Sequence, residues 1–195
     1  MIILQPEFVH AMLDLETLST KANAVISQIG ACVFNEDIEY PTLHKHISIS
    51  SCLHKGLVVE EATILWWMKQ SDEVRAAFQK SSIGIKGALI AFQDWCRIVE
   101  QEAGKPIALW GNGASFDNAI LSTAYARCHY RQPWQFWNDK CYRTVKNQFP
   151  EVPKVVPEIA HNALSDAEAQ AEHLVNIANY VSVDTEQQAA DAEHF

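Results

Sequence analysis

The feature that most constrains this chain is a nearly continuous apolar run, Phe8-Val9-His10-Ala11-Met12-Leu13, that ends in two carboxylates, Asp14-Leu15-Glu16. Such a run suits a strand covered on both faces, in the middle of a layered sheet. Side chains two apart on a strand project to one face, so Asp14 and Glu16 converge at its carboxyl end. Open α/β sheets bind their ligands at that end. Two acids side by side there repel each other unless a cation lies between them, and a hard divalent ion with oxygen ligands meets the need. Taken alone, the pair is equally well explained as a solvated turn with two ordinary acids.

The pattern of the remaining chain predicts what surrounds that strand. Residues 25–34 are β-branched at intervals and stop at a turn-prone Asn-Glu-Asp, and 43–50 alternate with period two. Helical spacing follows over 61–70, 72–79 and 85–103, the last stopped by Gly104. Residues 107–110 form a short buried strand, and Ser115 opens a helix to about Arg127. A short helix around Val145 ends before Pro150 and Pro153, and Ser165-Asp166-Ala167-Glu168 has the capping-box pattern of a helix running to about Tyr180. Three strands, then helices, then a strand–helix unit describe an α/β domain with a mixed sheet. We expect one domain over 1–180 and an acidic, polar tail over 181–195, frayed or additionally helical.

Charge and cysteine content narrow the function classes. The formal net charge is −9, yet residues 155–195 hold eight acids and no Lys or Arg. Residues 127–154 hold six bases against two acids, which weakens the objection that an acidic protein avoids polyanions. The five cysteines are scattered without a Cys-x-x-Cys, which argues against disulfides and zinc and for reduced thiols in the cytoplasm. No apolar run approaches the ~18 residues of a membrane span. The opening residues lack a basic segment and a small-residue cleavage site, so no secretory signal and no membrane partner are expected.

Two further signals carry chemistry. Trp110-Gly111-Asn112-Gly113-Ala114-Ser115-Phe116-Asp117-Asn118 follows a strand and opens a helix, but Phe116 stands where a dinucleotide fingerprint needs its third glycine. The better reading is a tight turn that delivers Asp117 to the same sheet edge, although an acid in a first helical turn also simply favours the helix dipole. In His161-Asn162-Ala163-Leu164-Ser165-Asp166 a titratable base precedes an acid at a helix start, where the dipole again offers a plainer account.

Together and in this order, these motifs resemble the DEDDh branch of the DnaQ-like 3′–5′ exonucleases over roughly residues 8–180. The strings from Trp110 to Asn118 and from Ala62 to Ser71 look especially like the phage DexA-type and Rv2179c-like subgroup. The resemblance implies a ribonuclease H-like fold, a five-stranded mixed sheet flanked by helices. It also implies that Asp14, Glu16, Asp117 and Asp166 hold two Mg²⁺ or Mn²⁺ ions and that His161 activates a water against the terminal phosphodiester. Thr17 and Leu18 would meet the terminal nucleotide, though many relatives read Thr-Gly where this chain has Thr17-Leu18-Ser19.

The expected activity is therefore a metal-dependent 3′–5′ exonuclease acting on nucleic acid with a free 3′ end. Single-stranded DNA is the favoured substrate, with an exoribonuclease or oligonucleotidase as the alternative. A non-catalytic nucleic-acid or polymerase-binding module could dispense with one of the acids, and here all four and the histidine are present. Adjacent Trp66 and Trp67 lie about 100° apart on a helix, so one ring packs in the core and the other is free to stack on a base. Lys140, Arg143 and Lys146 either guide the strand or form an idle solvated face. A homodimer is left open.

Overall fold

In a computed structural model, residues 3–35, 38–80 and 82–192 are described, with side chains to residue 182. Five strands form one mixed sheet in the order β3-β2-β1-β4-β5. These are β1 (Val9–Thr17), β2 (Ile26–Phe34), β3 (Leu43–His46), β4 (Ile107–Gly111) and β5 (Asp139–Cys141). β1 pairs antiparallel with β2 and parallel with β4, while β2–β3 is antiparallel and β4–β5 parallel. β1 is buried along its whole length, as its apolar run predicts, and the strand continues through both acids. β5 has only three residues and carries no periodicity of its own, so the family resemblance implied a fifth strand but the residue pattern did not locate it.

Alternation along β1 divides the core. Val9, Ala11, Leu13 and Leu15 face one layer with α4 (Ile85–Ala103) and α5 (Asp117–Arg127). Met12 faces the other layer with Tyr142, the first residue of α6 (Tyr142–Gln148), and with Ala167, Ala171 and Leu174 of α7 (Ala163–Ala192). By the same period, Asp14 and Glu16 project on the α7 side. Helix α4 buries Ile85, Ala88, Leu89, Phe92, Trp95, Cys96 and Val99 and ends at Gly104 in the left-handed conformation, as its sequence predicts.

Three short helices, α1 (Ile49–Leu53), α2 (Glu61–Met68) and α3 (Asp72–Ala76), connect β3 to α4. The predicted strand over 43–50 stops early because Ser48 caps α1 through its side chain. Helix α7 begins before the predicted capping box. The Asn162 side chain accepts from the Ser165 N–H, and the Ser165 hydroxyl instead accepts from Ile159 N–H. The backbone of α7 is helical on to Ala192, through most of the expected tail. All five cysteines are free, and no helix among the described residues is long and apolar enough to cross a membrane.

Candidate active site

Two glycines let the helices that carry the outlying acids reach β1. Gly30 of β2 is the register partner of Asp14, and Gly111 of β4 is the partner of Leu13. A Cβ at Gly30 would overlap the backbone of Ala163 and Leu164, so α7 starts directly on bare strand. A Cβ at Gly111 would overlap the Asn118 side chain and crowd Asp117 at the start of α5. Strand β1 thus has a helix N-terminus brought against each of its neighbours, beside its own two acids.

The result is a cleft of about 260 Å³ lined by Asp14, Glu16, Asp117, His161, Asp166 and Gln170, with Asn112 and Arg143 at its side. It joins the four acids and the histidine predicted from three distant stretches of sequence. Asp117 reaches β1 itself, accepting at Oδ1 from the Leu15 N–H at 3.3 Å. Ligand atoms of Glu16, His161 and Asp166 lie within 4.8 Å of one another. His161 has a φ of 59°, and its carbonyl accepts from Gln28 Nε2 at 3.5 Å.

The acids resist ionisation in this setting. Burial, reinforced by the neighbouring Asp117 charge, pushes Asp14 well above the usual carboxylate range. Burial and then Asp14 push Glu16 up to about 9. Burial raises Asp117 to about 7 against the stabilising N–H of Leu15, and raises Asp166 against the pull of His161. Asp117 Oδ2 is buried without a hydrogen-bond partner. Four mutually repelling carboxylates, one of them with an orphaned buried oxygen, fit a hard divalent cation.

A larger cavity of about 480 Å³ shares Leu15, Glu16 and Phe116 with the cleft and is walled by Thr17, Glu60, Thr63, Trp66 and Trp67. Trp67 is buried and donates from Nε1 to the Thr17 carbonyl at 2.8 Å. Trp66 is 44% exposed, so the two rings divide between core and surface as the helix geometry predicts. Leu18 is buried in the core and does not line either cavity.

The basic residues separate as well. Arg143 lines the cleft, and Lys146, one turn further along α6, donates to Asn112 Oδ1 at 3.0 Å. Lys140 instead donates to Gln5 Oε1 at 2.8 Å and sits over the Phe8 ring, at the opposite end of β1 from the acids. Sequence reasoning used Gly111 only as part of a tight turn and passed over Gly30, Gln28 and Gln170. Gly30 interrupts an apolar strand and Gly111 ends one, which was the available signal.

The model of the 3′-5′ exoribonuclease Rv2179c-like domain matches residues 9–178. No curated protein matches the sequence. The fold resembles the nuclease domain of 3′hExo, a DEDDh family member, bound to rAMP, with a TM-score of 0.58 at 13% identity over 87% of this chain and 91% of that one. It also resembles E. coli Exonuclease I in complex with a dA16 oligonucleotide, with a TM-score of 0.55 at 14% identity over 90% of this chain and 43% of that one. This chain therefore spans less than half of that structure. The five-stranded sheet is ribonuclease H-like, and the chain belongs to the family of the 3′-5′ exoribonuclease Rv2179c-like domain.

Proposed function

We propose that the chain removes nucleotides one at a time from the 3′ end of single-stranded nucleic acid. The observation that carries this reading is the convergence of Asp14, Glu16, Asp117, Asp166 and His161 on one cleft, with Asp117 Oδ2 buried and unpaired. Asp14, Glu16, Asp117 and Asp166 are the residues that would hold two Mg²⁺ or Mn²⁺ ions, which supply Lewis-acid activation of the scissile phosphate and charge neutralisation.

The protein's own groups supply the rest. His161, at the cleft wall, takes the proton of the attacking water at a ring nitrogen. Arg143, which lines the cleft, would pair with the scissile phosphate. The terminal nucleoside occupies the larger cavity, with the exposed face of Trp66 against its base. Thr17, at the carboxyl end of β1, lines that cavity beside Leu15 and Glu16 and would meet the sugar there.

The family description supports RNA as substrate, and the Exonuclease I complex with dA16 supports DNA as the second reading. The free thiols support a reducing, cytoplasmic setting. Equal concentrations of 5′-labelled single-stranded RNA and DNA of one sequence, incubated with Mn²⁺, test the proposal. A ladder shortening from the 3′ end supports it, and the faster ladder identifies the sugar. Unshortened oligonucleotides of both kinds, or cuts confined to internal positions, would contradict it.

A further inference from the structure

Gln170 lies on α7 one turn beyond Asp166, and residues four apart on a helix share a face. Both side chains line the cleft. Gln170 Nε2 donates to Asp14 Oδ1 at 2.8 Å, a contact between residues 156 positions apart. Its Oε1 is buried without a hydrogen-bond partner. An unpaired buried amide oxygen is costly, and a methionine of similar size would fill the space without that cost. What methionine lacks is the donor.

We propose that Gln170 is a positioning residue for Asp14, holding one oxygen of its carboxylate so that the other faces the cleft. This rests on the metal-site reading above. A carboxamide suits the task because it donates without adding charge. Glutamate would add another repelling acid, and lysine or arginine would compete with the cation for Asp14. The same bond ties α7 to β1, so the spacing between Asp14 and Asp166 is fixed by a side chain that need not itself bind metal.

The test is Mn²⁺ titration of the metal-free protein by calorimetry, for the parent and for Gln170→Met and Gln170→Leu. Both variants remove the unpaired Oε1 but also strip Asp14 Oδ1 of its donor, so the folded fraction is measured for each and every affinity is referred to folded protein. Loss of a residue that orients a metal ligand costs about 10–100-fold in metal affinity. Mn²⁺ affinity should fall within that span, and the Mn²⁺ midpoint for hydrolysis of p-nitrophenyl thymidine monophosphate should rise by the same factor. Saturating Mn²⁺ should largely restore kcat. A merely structural role would lower the folded fraction without moving the Mn²⁺ midpoint of the folded molecules. Unchanged affinity and midpoint in the variants, beside a parent that binds Mn²⁺, would overturn the role of Gln170 alone. A parent that binds no Mn²⁺ would overturn the metal reading and this proposal together.

Discussion

The indole of Trp66 stands edge-on to the imidazole of His161, with ring centroids 5.0 Å apart. Trp67 meets the same imidazole at 5.8 Å from its buried position. The two tryptophans therefore wall the histidine but have opposite relations to the core. Trp66→Ala should leave stability within about 0.5 kcal/mol, as for most surface changes. It should weaken oligonucleotide binding by about 1–3 kcal/mol, the worth of one stacked base. Trp67→Ala removes a buried ring and should cost about 3–5 kcal/mol of stability. Denaturant titration beside KM for a short oligonucleotide distinguishes them, and equal stability losses in both would contradict this division.

Gly30→Ala should damage the site through the backbone. The new Cβ meets main-chain atoms of Ala163 and Leu164, which cannot rotate away as a side chain can. Overpacking of this kind costs about 1–3 kcal/mol. Because α7 carries Asp166 and follows directly on His161, turnover should fall further than the loss of folded protein explains. Activity per folded molecule equal to the parent would show that α7 need not start on bare strand.

Much of this arrangement was legible in the sequence. The apolar run into Asp14 and Glu16, the turn delivering Asp117 and the His161–Asp166 spacing all carry local signals, and those five residues line the cleft, whereas predicted Leu18 and Lys140 do not. What holds them in place was not legible, because it depends on contacts between distant segments. Gly30 matters only because α7 lands on it, and Gln170 only because Asp14 lies opposite. Strand β5 is specified by pairing with β4 rather than by its own three residues. Lys140 and Arg143 look alike in a charge count, yet β5 and α6 send them to different ends of the sheet.

Stability of the metal-free protein should fall as pH rises. Glu16 is raised to about 9 and Asp117 to about 7, chiefly by burial, so the folded state keeps protons that the unfolded chain has already lost. Where the folded state binds more protons, stability declines with pH. The decline runs from the ordinary carboxylate range near about 4 up through the raised values. Tm measured in EDTA should therefore drop from pH 5 to 9, and Mn²⁺ should flatten the curve by neutralising the same acids. Parallel curves with and without Mn²⁺ would count against a cation among these residues.

The basic residues should separate in salt dependence. Arg143→Ala and Lys146→Ala should each lower the salt slope of single-strand binding by about 0.7, the value for one lost phosphate contact. Lys140→Ala should leave the slope unchanged, since its ammonium is engaged with Gln5 and Phe8 away from the cleft. A slope that responds to Lys140 and not to Arg143 would place the strand elsewhere on the surface.

His161→Ala should lower kcat by about 10²–10⁴-fold, the usual contribution of a positioned acid or base. Mn²⁺ binding should survive the change, because the four carboxylates remain. Its loss by calorimetry would make His161 a ligand, as its position within 4.8 Å of Glu16 and Asp166 allows geometrically.

The most direct test of the central claim follows a single-stranded oligonucleotide labelled at its 3′ terminus. With the parent protein and Mn²⁺, the label should leave first, as a mononucleotide, and EDTA should stop its release. Folded Asp14→Asn and Asp117→Asn proteins should release none above background. Release by either variant at the parental rate, or release that persists in EDTA, would contradict the account of one acid-built, metal-dependent site.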